Sequence, residues 1–223
     1  MMINNIQYSP IQFQYPSANR VAKSSPSFKG GYVETLKFTN IGSCLEGYIG
    51  KVRVRRASDN QECFLNVFKK YIGHNAENYS IKNDKDELVG EIDVFIKKYQ
   101  PGSYSQFEYK EDPSHVFVDN LRNYSAPDTP YYRQGLEHMK DIGTRLLQIA
   151  QRRSDEAQCV GNIKLISKNE SKNWYKNVIG MVEEYPITSV SGNSKLFFAI
   201  HNPNSMILPP HAKEPLSRLT GGL

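Results

Sequence analysis

The sequence predicts an α/β fold of the α+β kind, with a mixed and mostly antiparallel sheet of about six to seven strands flanked by helices. Two observations favour it. Short segments of alternating apolar residues, each ended by turn residues, occupy much of the chain from residue 47 to residue 124. A helical spacing then replaces the alternation, and a short apolar strand, a second helix and closing strands follow it. A meander of strands with helices packed on it accounts for both patterns.

Five strands are predicted in the first half of the chain, each rich in β-branched or aromatic residues. They lie at 47–57, 62–72, 77–81, 87–99 and 114–124. Turn chemistry supports this division, because Ser58-Asp59-Asn60 follows the first of these strands and Asn83-Asp84-Lys85-Asp86 precedes the fourth.

The second half alternates helices and strands. Apolar residues recur at intervals of three and four from residue 131 to residue 156, which is a helical period. A short strand is predicted at 163–167 and a short helix at 169–180, closed by Gly180. Segments 181–188 and 195–201 are typical of strands, and the Pro-rich chain from Pro203 is predicted to be irregular.

Length and composition suggest one domain of ordinary size. We expect a disordered tail at 1–31, a folded domain at 32–202 and an irregular tail at 203–223 in this chain of 223 residues. The first segment holds no acidic residue and several Ser and Pro residues, which favours disorder. An organelle transit peptide is the alternative for that segment.

Charge and cysteine content narrow the function classes. A net charge of +5 is compatible with an anionic ligand but is weak evidence for nucleic acid, and the run RVRR at 53–56 alternates on a strand, so we expect a solvated face. Cys44, Cys63 and Cys159 are widely spaced, which implies neither a metal site nor a disulfide framework. No apolar stretch approaches the roughly 20 residues that span a bilayer. These features predict a cytoplasmic chain that is not a membrane protein.

The turn Ile142-Gly143-Thr144 is the strongest candidate for a binding site. The first N–H groups of a helix have no internal partner and carry the positive end of the helix dipole, so an anion is their natural ligand. Gly143 has no Cβ to block a close approach, and Lys140 and Arg145 flank the turn with positive charge. The alternative is that Gly143 lies inside one long helix that starts at Thr129-Pro130.

The segment MKDIGTRLLQIAQRRSDEAQC (139–159) resembles the core motif of the GCN5-related N-acetyltransferase (GNAT) family. The strand VFVDNLRN before it, the strand NIKLIS after it, and NESKNWYKNVIGM (169–181) follow in the family's order. The resemblance covers roughly 87–181. The sequence departs from the pattern at Asp141, which replaces a glycine, and at His138, which replaces Gln or Arg. An insertion at 124–138 and one extra residue between Tyr175 and Gly180 are further departures.

This resemblance implies a GNAT-like fold with splayed central strands and an acyl-CoA-dependent N-acyltransferase, with acetyl-CoA as the donor. The acceptor would be a small-molecule or peptide amine, which the sequence does not identify. A non-catalytic CoA-binding or protein-interaction module on the same fold is the alternative.

The resemblance also implies roles for individual residues. Tyr175 would be the general acid that protonates the departing thiolate, because a phenol is protonated at neutral pH. Asn169 would cap its helix or contact the cofactor, and the amides of the helix start would receive the pyrophosphate. The implied cofactor-binding residues are Leu121, Asn123, Lys140, Asp141, Ile142, Gly143, Thr144, Arg145 and Asn169. Asp119 and Glu91 are the candidates for a base, although a paired surface carboxylate is the expected state of each.

Overall fold

The computed structural model describes residues 36–37, 46–98, 114–183, 204–209 and 211–213. The predicted tail at 1–31 and the predicted strand at 195–201 lie outside these residues. Five long strands come first: β1 (Gly47–Arg56), β2 (Glu62–Gly73), β3 (Ala76–Lys82), β4 (Leu88–Lys97) and β5 (His115–Asn123). The elements that follow are β6 (Met139–Lys140), α1 (Ile142–Glu156), β7 (Ile163–Ile166), α2 (Asn169–Trp174), β8 (Val182–Glu183) and β9 (Ser205–Ile207).

Within the described residues, all nine strands form one sheet in the order β6-β1-β2-β3-β4-β5-β7-β9-β8. Every neighbouring pair is antiparallel except β5 and β7, which are parallel and are joined through α1. The predicted α+β class with a mixed, mostly antiparallel sheet is therefore confirmed. The sheet has more strands than predicted because β6 and β9, which are two and three residues long, were not predicted, whereas β8 lies within the predicted segment 181–188.

The core lies between the sheet and α1. Alternating residues of the long strands are buried on the face that α1 covers, as expected for strands with one covered face. Gly90 in β4 lies directly under the helix, because a Cβ there would come within 2.5 Å of Cγ2 of Ile142. This glycine lets the first turn of α1 pack tightly on the sheet. None of the helices in the described ranges is both long and apolar enough to cross a membrane.

Helix α1 begins later than the periodicity predicts. The predicted helix at 131–156 is confirmed over 142–156, including its end at Glu156, but it is wrong for 131–141, since the helix starts at Ile142. The alternative long helix from Thr129-Pro130 is wrong for the same reason. Met139 and Lys140 instead form β6, which pairs with Arg56 and Arg55 of β1. Asp141 then adopts a left-handed conformation with φ 72°, which separates the strand from the helix.

The segment after β7 contains a wider helical turn. Helix α2 continues into a π-helical turn at Tyr175–Ile179, which ends at Gly180 in the left-handed conformation with φ 82°. The predicted closure at Gly180 is confirmed. The amides of Gly180 and Met181 both donate to the carbonyl of Tyr175. A π turn takes up one more residue than an α turn, which accounts for the extra residue between Tyr175 and Gly180.

The chain after Pro203 is not irregular throughout. Residues Ser205–Ile207 form β9, which lies between β7 and β8. Met206 is fully buried and Leu208 is nearly so, and both belong to the core. The prediction of an irregular segment was wrong at this strand because three residues are too few to show an alternating pattern.

The central strands separate halfway along β5. Only Val116, Phe117 and Val118 pair with β7, whereas β5 stays paired with β4 as far as Asn123. The separation coincides with a bulge, because Val118 pairs with Val94 and Asn120 pairs with Asp93, which leaves Asp119 without a partner position in β4. The expectation of splayed central strands is confirmed. We call the space bounded by residues 119–123 of β5, the start of α1 and α2 the strand gap.

Candidate functional site

The N-terminus of α1 presents free amides beside the strand gap. The first bond within the helix runs from the amide of Arg145 to the carbonyl of Asp141, at 2.9 Å. The amides of Ile142, Gly143 and Thr144 precede this bond, and no partner for them is found among the residues that the structure describes. No side chain caps the helix and its first turn has no acidic residue. The three N–H groups therefore form a cluster of donors at the positive end of the helix dipole.

The carboxylate of Asp141 makes no capping bond to this cluster, and its charge is neutralised by Arg55. Its side chain is 1% exposed, and Nε of Arg55 lies 3.0 Å from its Oδ2. Nη2 of the same arginine donates to Oδ1 at 3.4 Å, so the pair is held in two places. The departure from glycine at this position thus leaves no unpaired negative charge at the helix start.

Gly143 is the point at which α1, β5 and α2 meet. A Cβ at Gly143 would lie 3.2 Å from Cη2 and 3.4 Å from Cζ2 of Trp174, and 3.9 Å from Cδ2 of Leu121. The indole of Trp174 therefore rests against the helix start, and a glycine is needed for that close approach. No local sequence motif identifies the contact of Trp174 with Gly143.

Tyr175 follows Trp174 at the inner side of the strand gap. Its side chain is buried, and its ring meets the Trp174 ring edge to face with centroids 4.9 Å apart. Burial raises the pKa of Tyr175 to about 12, and the nearby hydroxyl of Tyr131 adds to the effect. The phenol is consequently protonated throughout the neutral range. Its role as a general acid stays a prediction.

The side chains of Lys140 and Arg145, the two cations predicted to flank the turn at Gly143, contact other parts of the chain. The ammonium of Lys140 donates to Oδ1 of Asn60 at 2.6 Å, in the turn between β1 and β2. Arg145 is buried, and its guanidinium donates to the carbonyl of Arg53 and to Oε1 of Gln148. Its amide is already used within the helix. Both side chains are therefore engaged with other parts of the chain, and their contact with a cofactor stays a prediction.

Asn123 and Asn169 are the two asparagines predicted to bind the cofactor. The carbonyl of Asn123 accepts a hydrogen bond from the Thr129 hydroxyl at 2.7 Å, and its side chain accepts from Ser125. Asn169 is exposed and is the first residue of α2, whereas Lys168 occupies the capping position with no side-chain capping bond. The prediction that Asn169 caps the helix is therefore wrong. Contact of either residue with a cofactor stays a prediction.

Of the two candidate bases, Glu91 is held in a network. Its Oε1 accepts hydrogen bonds from Nη1 of Arg122 and from the Tyr124 hydroxyl. Burial alone would favour its neutral form, but these bonds keep the pKa of Glu91 below its ordinary value. Asp119 is exposed and accepts a hydrogen bond from Asn120 at 3.0 Å. Both carboxylates have partners, as expected.

One cluster at the strand gap was not found from the sequence. Tyr131, in the segment between β5 and β6, accepts a hydrogen bond from Nζ of Lys168 at 3.0 Å. The guanidinium carbon of Arg122 lies 5.8 Å from the centre of the Tyr131 ring. The insertion at 124–138 is the only sequence signal for this cluster, since its composition does not identify a contact with residue 168.

The basic run on β1 is paired with acids. Arg53 contacts Glu62 at 3.1 Å, Arg55 contacts Asp141, and Arg56 contacts Asp59 at 3.3 Å. The expected solvated face is therefore a set of ion pairs, and Arg55 belongs to the helix start described above. In the described ranges of the chain, no group of three or more His, Cys, Asp or Glu residues is arranged to hold a metal ion.

Comparisons with known proteins give a fold-level likeness. No protein-family model and no curated protein sequence matches the chain. A solved structure of GCN5 from Tetrahymena is similar over 60% of this chain and 68% of its own, with 16% identity and a TM-score of 0.33. A nourseothricin acetyltransferase is similar over 73% of this chain and 83% of its own, with 12% identity and a TM-score of 0.32.

Proposed function

We propose that this chain is an acyl-CoA-dependent N-acyltransferase that uses acetyl-CoA and transfers its acyl group to an amine. The observation that carries the proposal is the cluster of free amides at Ile142, Gly143 and Thr144, which opens beside the strand gap. A diphosphate ester with an extended amide-containing arm is complementary to such a helix start next to an unpaired strand edge.

Two parts of that ligand, the diphosphate and the pantetheine arm, have complementary groups in the chain. The three amides provide charge-assisted hydrogen bonds for the diphosphate, and the Asp141–Arg55 pair adds no net charge beside it. Among the described residues, the edge of β5 beyond Val118 has no strand partner on the β7 side, and we propose that its main chain binds the amides of the pantetheine arm. The carbonyl of Asn123 is taken by Thr129, which leaves the main chain near Leu121 and Arg122 for this contact.

In this proposal, Tyr175 is the donor of the proton that the reaction requires. Acyl-CoA supplies an activated thioester, and transfer to an amine leaves a thiolate that must be protonated. Tyr175 is a buried phenol that keeps its proton at neutral pH because burial raises its pKa to about 12. The group is therefore in its protonated form, which a proton donor to the departing sulfur must be.

The alternative function is a module that binds CoA without transferring an acyl group. The position of the Trp174 indole favours this alternative, since the ring rests on Gly143 at the mouth of the strand gap. Transfer needs an open path for both the thioester and the amine, whereas binding of the diphosphate alone does not.

Trp174 is the one tryptophan of the sequence, so its fluorescence reports on the site. We expect CoA and acetyl-CoA to change its emission and to raise the midpoint of thermal unfolding. Pantetheine, which lacks the diphosphate together with the adenosine 3′-phosphate, is the control and should have a much smaller effect. Release of free thiol from acetyl-CoA in the presence of mixed primary amines then separates the enzyme from the module. An emission and a melting point that do not respond to saturating CoA would exclude both functions.

A further inference from the structure

A second tyrosine spans the open side of the strand gap. Tyr131 is half-buried, and its hydroxyl accepts the hydrogen bond from Lys168 at 3.0 Å. Arg122 lies near its ring, with the guanidinium carbon 5.8 Å from the ring centre. Lys168 immediately precedes α2, and Arg122 lies on β5. Both borders of the strand gap therefore contribute a cation to the same phenol.

Tyr131 and Tyr175 have opposite electrostatic environments. Burial raises the pKa of Tyr175 to about 12, with a further contribution from Tyr131. The hydrogen bond from Lys168 lowers the pKa of Tyr131. Burial acts in the opposite direction, whereas the charges of Lys168 and Arg122 lower the pKa further. Two titratable groups whose pKa values are pushed apart in one site are suited to opposite acid and base roles.

The charged groups around Tyr131 favour its ionised form. Lys168 and Arg122 face it, and Tyr175 is its neutral neighbour. The carboxylates of Glu91 and Asp93 lie behind Arg122, on the β4 side of that arginine, and are paired with it. Glu170 is close enough to Lys168 to act on its charge. No carboxylate is paired with Tyr131 among the described residues.

The proposed reaction needs a base that the carboxylates do not provide. Glu91 is bound by Arg122 and Tyr124, and its pKa is lowered. A carboxylate held in this way is a weak proton acceptor. Asp119 is exposed and hydrogen-bonded to Asn120.

We propose that Tyr131, held between Lys168 and Arg122, is the base that takes the proton from the attacking amine. This inference rests on the proposed function. The amine nitrogen forms the C–N bond to the acyl carbon, and the C–S bond breaks with its electron pair on sulfur. Tyr131, as phenolate, takes the proton from nitrogen, and Tyr175 gives its hydroxyl proton to sulfur. A proton passed from Tyr131 to Tyr175 restores both groups, and Lys168 remains protonated throughout.

The test compares two adjacent tyrosines. Tyr131→Phe removes the proposed base, and Tyr132→Phe is the matched control, because Tyr132 is an exposed neighbour. We expect Tyr131→Phe to lower kcat for thiol release in the presence of an amine by about 100-fold or more, the range of general-base catalysis. The affinity for CoA, followed by Trp174 emission, should change by less than about threefold, because the base acts only in the transfer step. Tyr132→Phe should change neither quantity.

The pH profile separates a base from a structural residue. Turnover should rise with pH as Tyr131 loses its proton. The apparent pKa of this rising limb of the profile should lie below the ordinary tyrosine pKa of about 10. Lys168→Met removes the stabilising cation, so this limb should move to higher pH, whereas Lys176→Met, at an exposed lysine of the π turn, should leave it in place. Tyr131→Phe should abolish the limb.

The outcomes distinguish the two proposals. A wild-type chain whose Trp174 does not respond to CoA overturns the proposed function and, with it, the role of Tyr131. A chain that binds CoA but releases no thiol with any amine is the non-catalytic module, and the role of Tyr131 is again excluded. Normal turnover with an unchanged pH limb in Tyr131→Phe overturns the role of Tyr131 alone.

Discussion

Gly143→Ala tests whether a glycine is needed where α1 meets Trp174. The added Cβ would lie 3.2 Å from Cη2 of Trp174, so the indole must move by a few tenths of an ångström. Alanine is favoured over glycine inside a helix by about 1 kcal/mol. A strained side-chain rotamer costs about 0.5–1.5 kcal/mol. These effects nearly cancel, so we expect the free energy of unfolding to change by less than about 1 kcal/mol.

The same substitution should weaken binding of CoA much more. The methyl group and the displaced indole both enter the strand gap next to Leu121, where the ligand must reach the amides of Ile142 to Thr144. Loss of one hydrogen bond to a charged group costs about 1.5–3 kcal/mol, which corresponds to a roughly 10- to 100-fold loss of affinity.

Calorimetric titration with CoA is the appropriate assay, because it does not depend on the emission of Trp174. Gly73→Ala is the control, since a Cβ at Gly73 meets only the Cβ of Ala76 at an ordinary 3.6 Å. A Gly143→Ala protein that is as stable as the wild type and binds CoA equally well would refute the assignment of this helix start as the diphosphate site.

Three further substitutions test other parts of the account. Tyr175→Phe should lower turnover far more than affinity for CoA, and an equal loss of both in steady-state kinetics and titration would remove Tyr175 from the mechanism. Asp141→Asn leaves the charge of Arg55 unneutralised beside the helix start. CoA should then bind about threefold more tightly or better at low salt, and an unchanged affinity in the titration would place the anion elsewhere. Glu77 is a buried carboxylate that Lys69 contacts and to which Arg153 donates twice. Although its burial opposes ionisation, bonds from Arg153 and Tyr79 lower the pKa of Glu77. The pKa of Glu77 is thus lower in the folded protein than in the unfolded chain. The stabilisation that the ionised Glu77 provides is therefore present above about pH 4.3 and is lost as the pH falls through the lower pKa of the folded state. Glu77→Gln should lower the free energy of unfolding at neutral pH by about 3–5 kcal/mol, and a denaturant titration that shows no loss would contradict the network's contribution.

The long strands could be predicted from the sequence because each has one buried face and ends in turn residues. The start of α1 could not be placed by apolar spacing alone. Leu136 and Met139 are three residues apart, as in a helix, but Met139 belongs to β6, a strand that exists only because β1 is available as its partner. The left-handed turn at Asp141 separates strand from helix, and its stability depends on Arg55, 86 residues away in the chain.

The candidate site was predicted only in part, because local features are visible in the sequence and contacts between distant residues are not. The turn at Gly143 is a local feature and is visible in the sequence. The contact between Tyr131 and Lys168 joins residues 37 positions apart, and the contact of Trp174 with Gly143 depends on how α2 packs against α1. The bond from the Arg145 side chain to the carbonyl of Arg53 in β1 also joins distant residues, and a charge count does not reveal it.

The most direct test of the central claim is a nuclear magnetic resonance titration of the backbone amides with CoA. If the helix start binds the diphosphate, the largest shifts will occur at the amides of Ile142, Gly143 and Thr144, and pantetheine alone will not reproduce them. Shifts concentrated elsewhere, or amides at this helix start that stay unchanged at saturating CoA, would contradict the account.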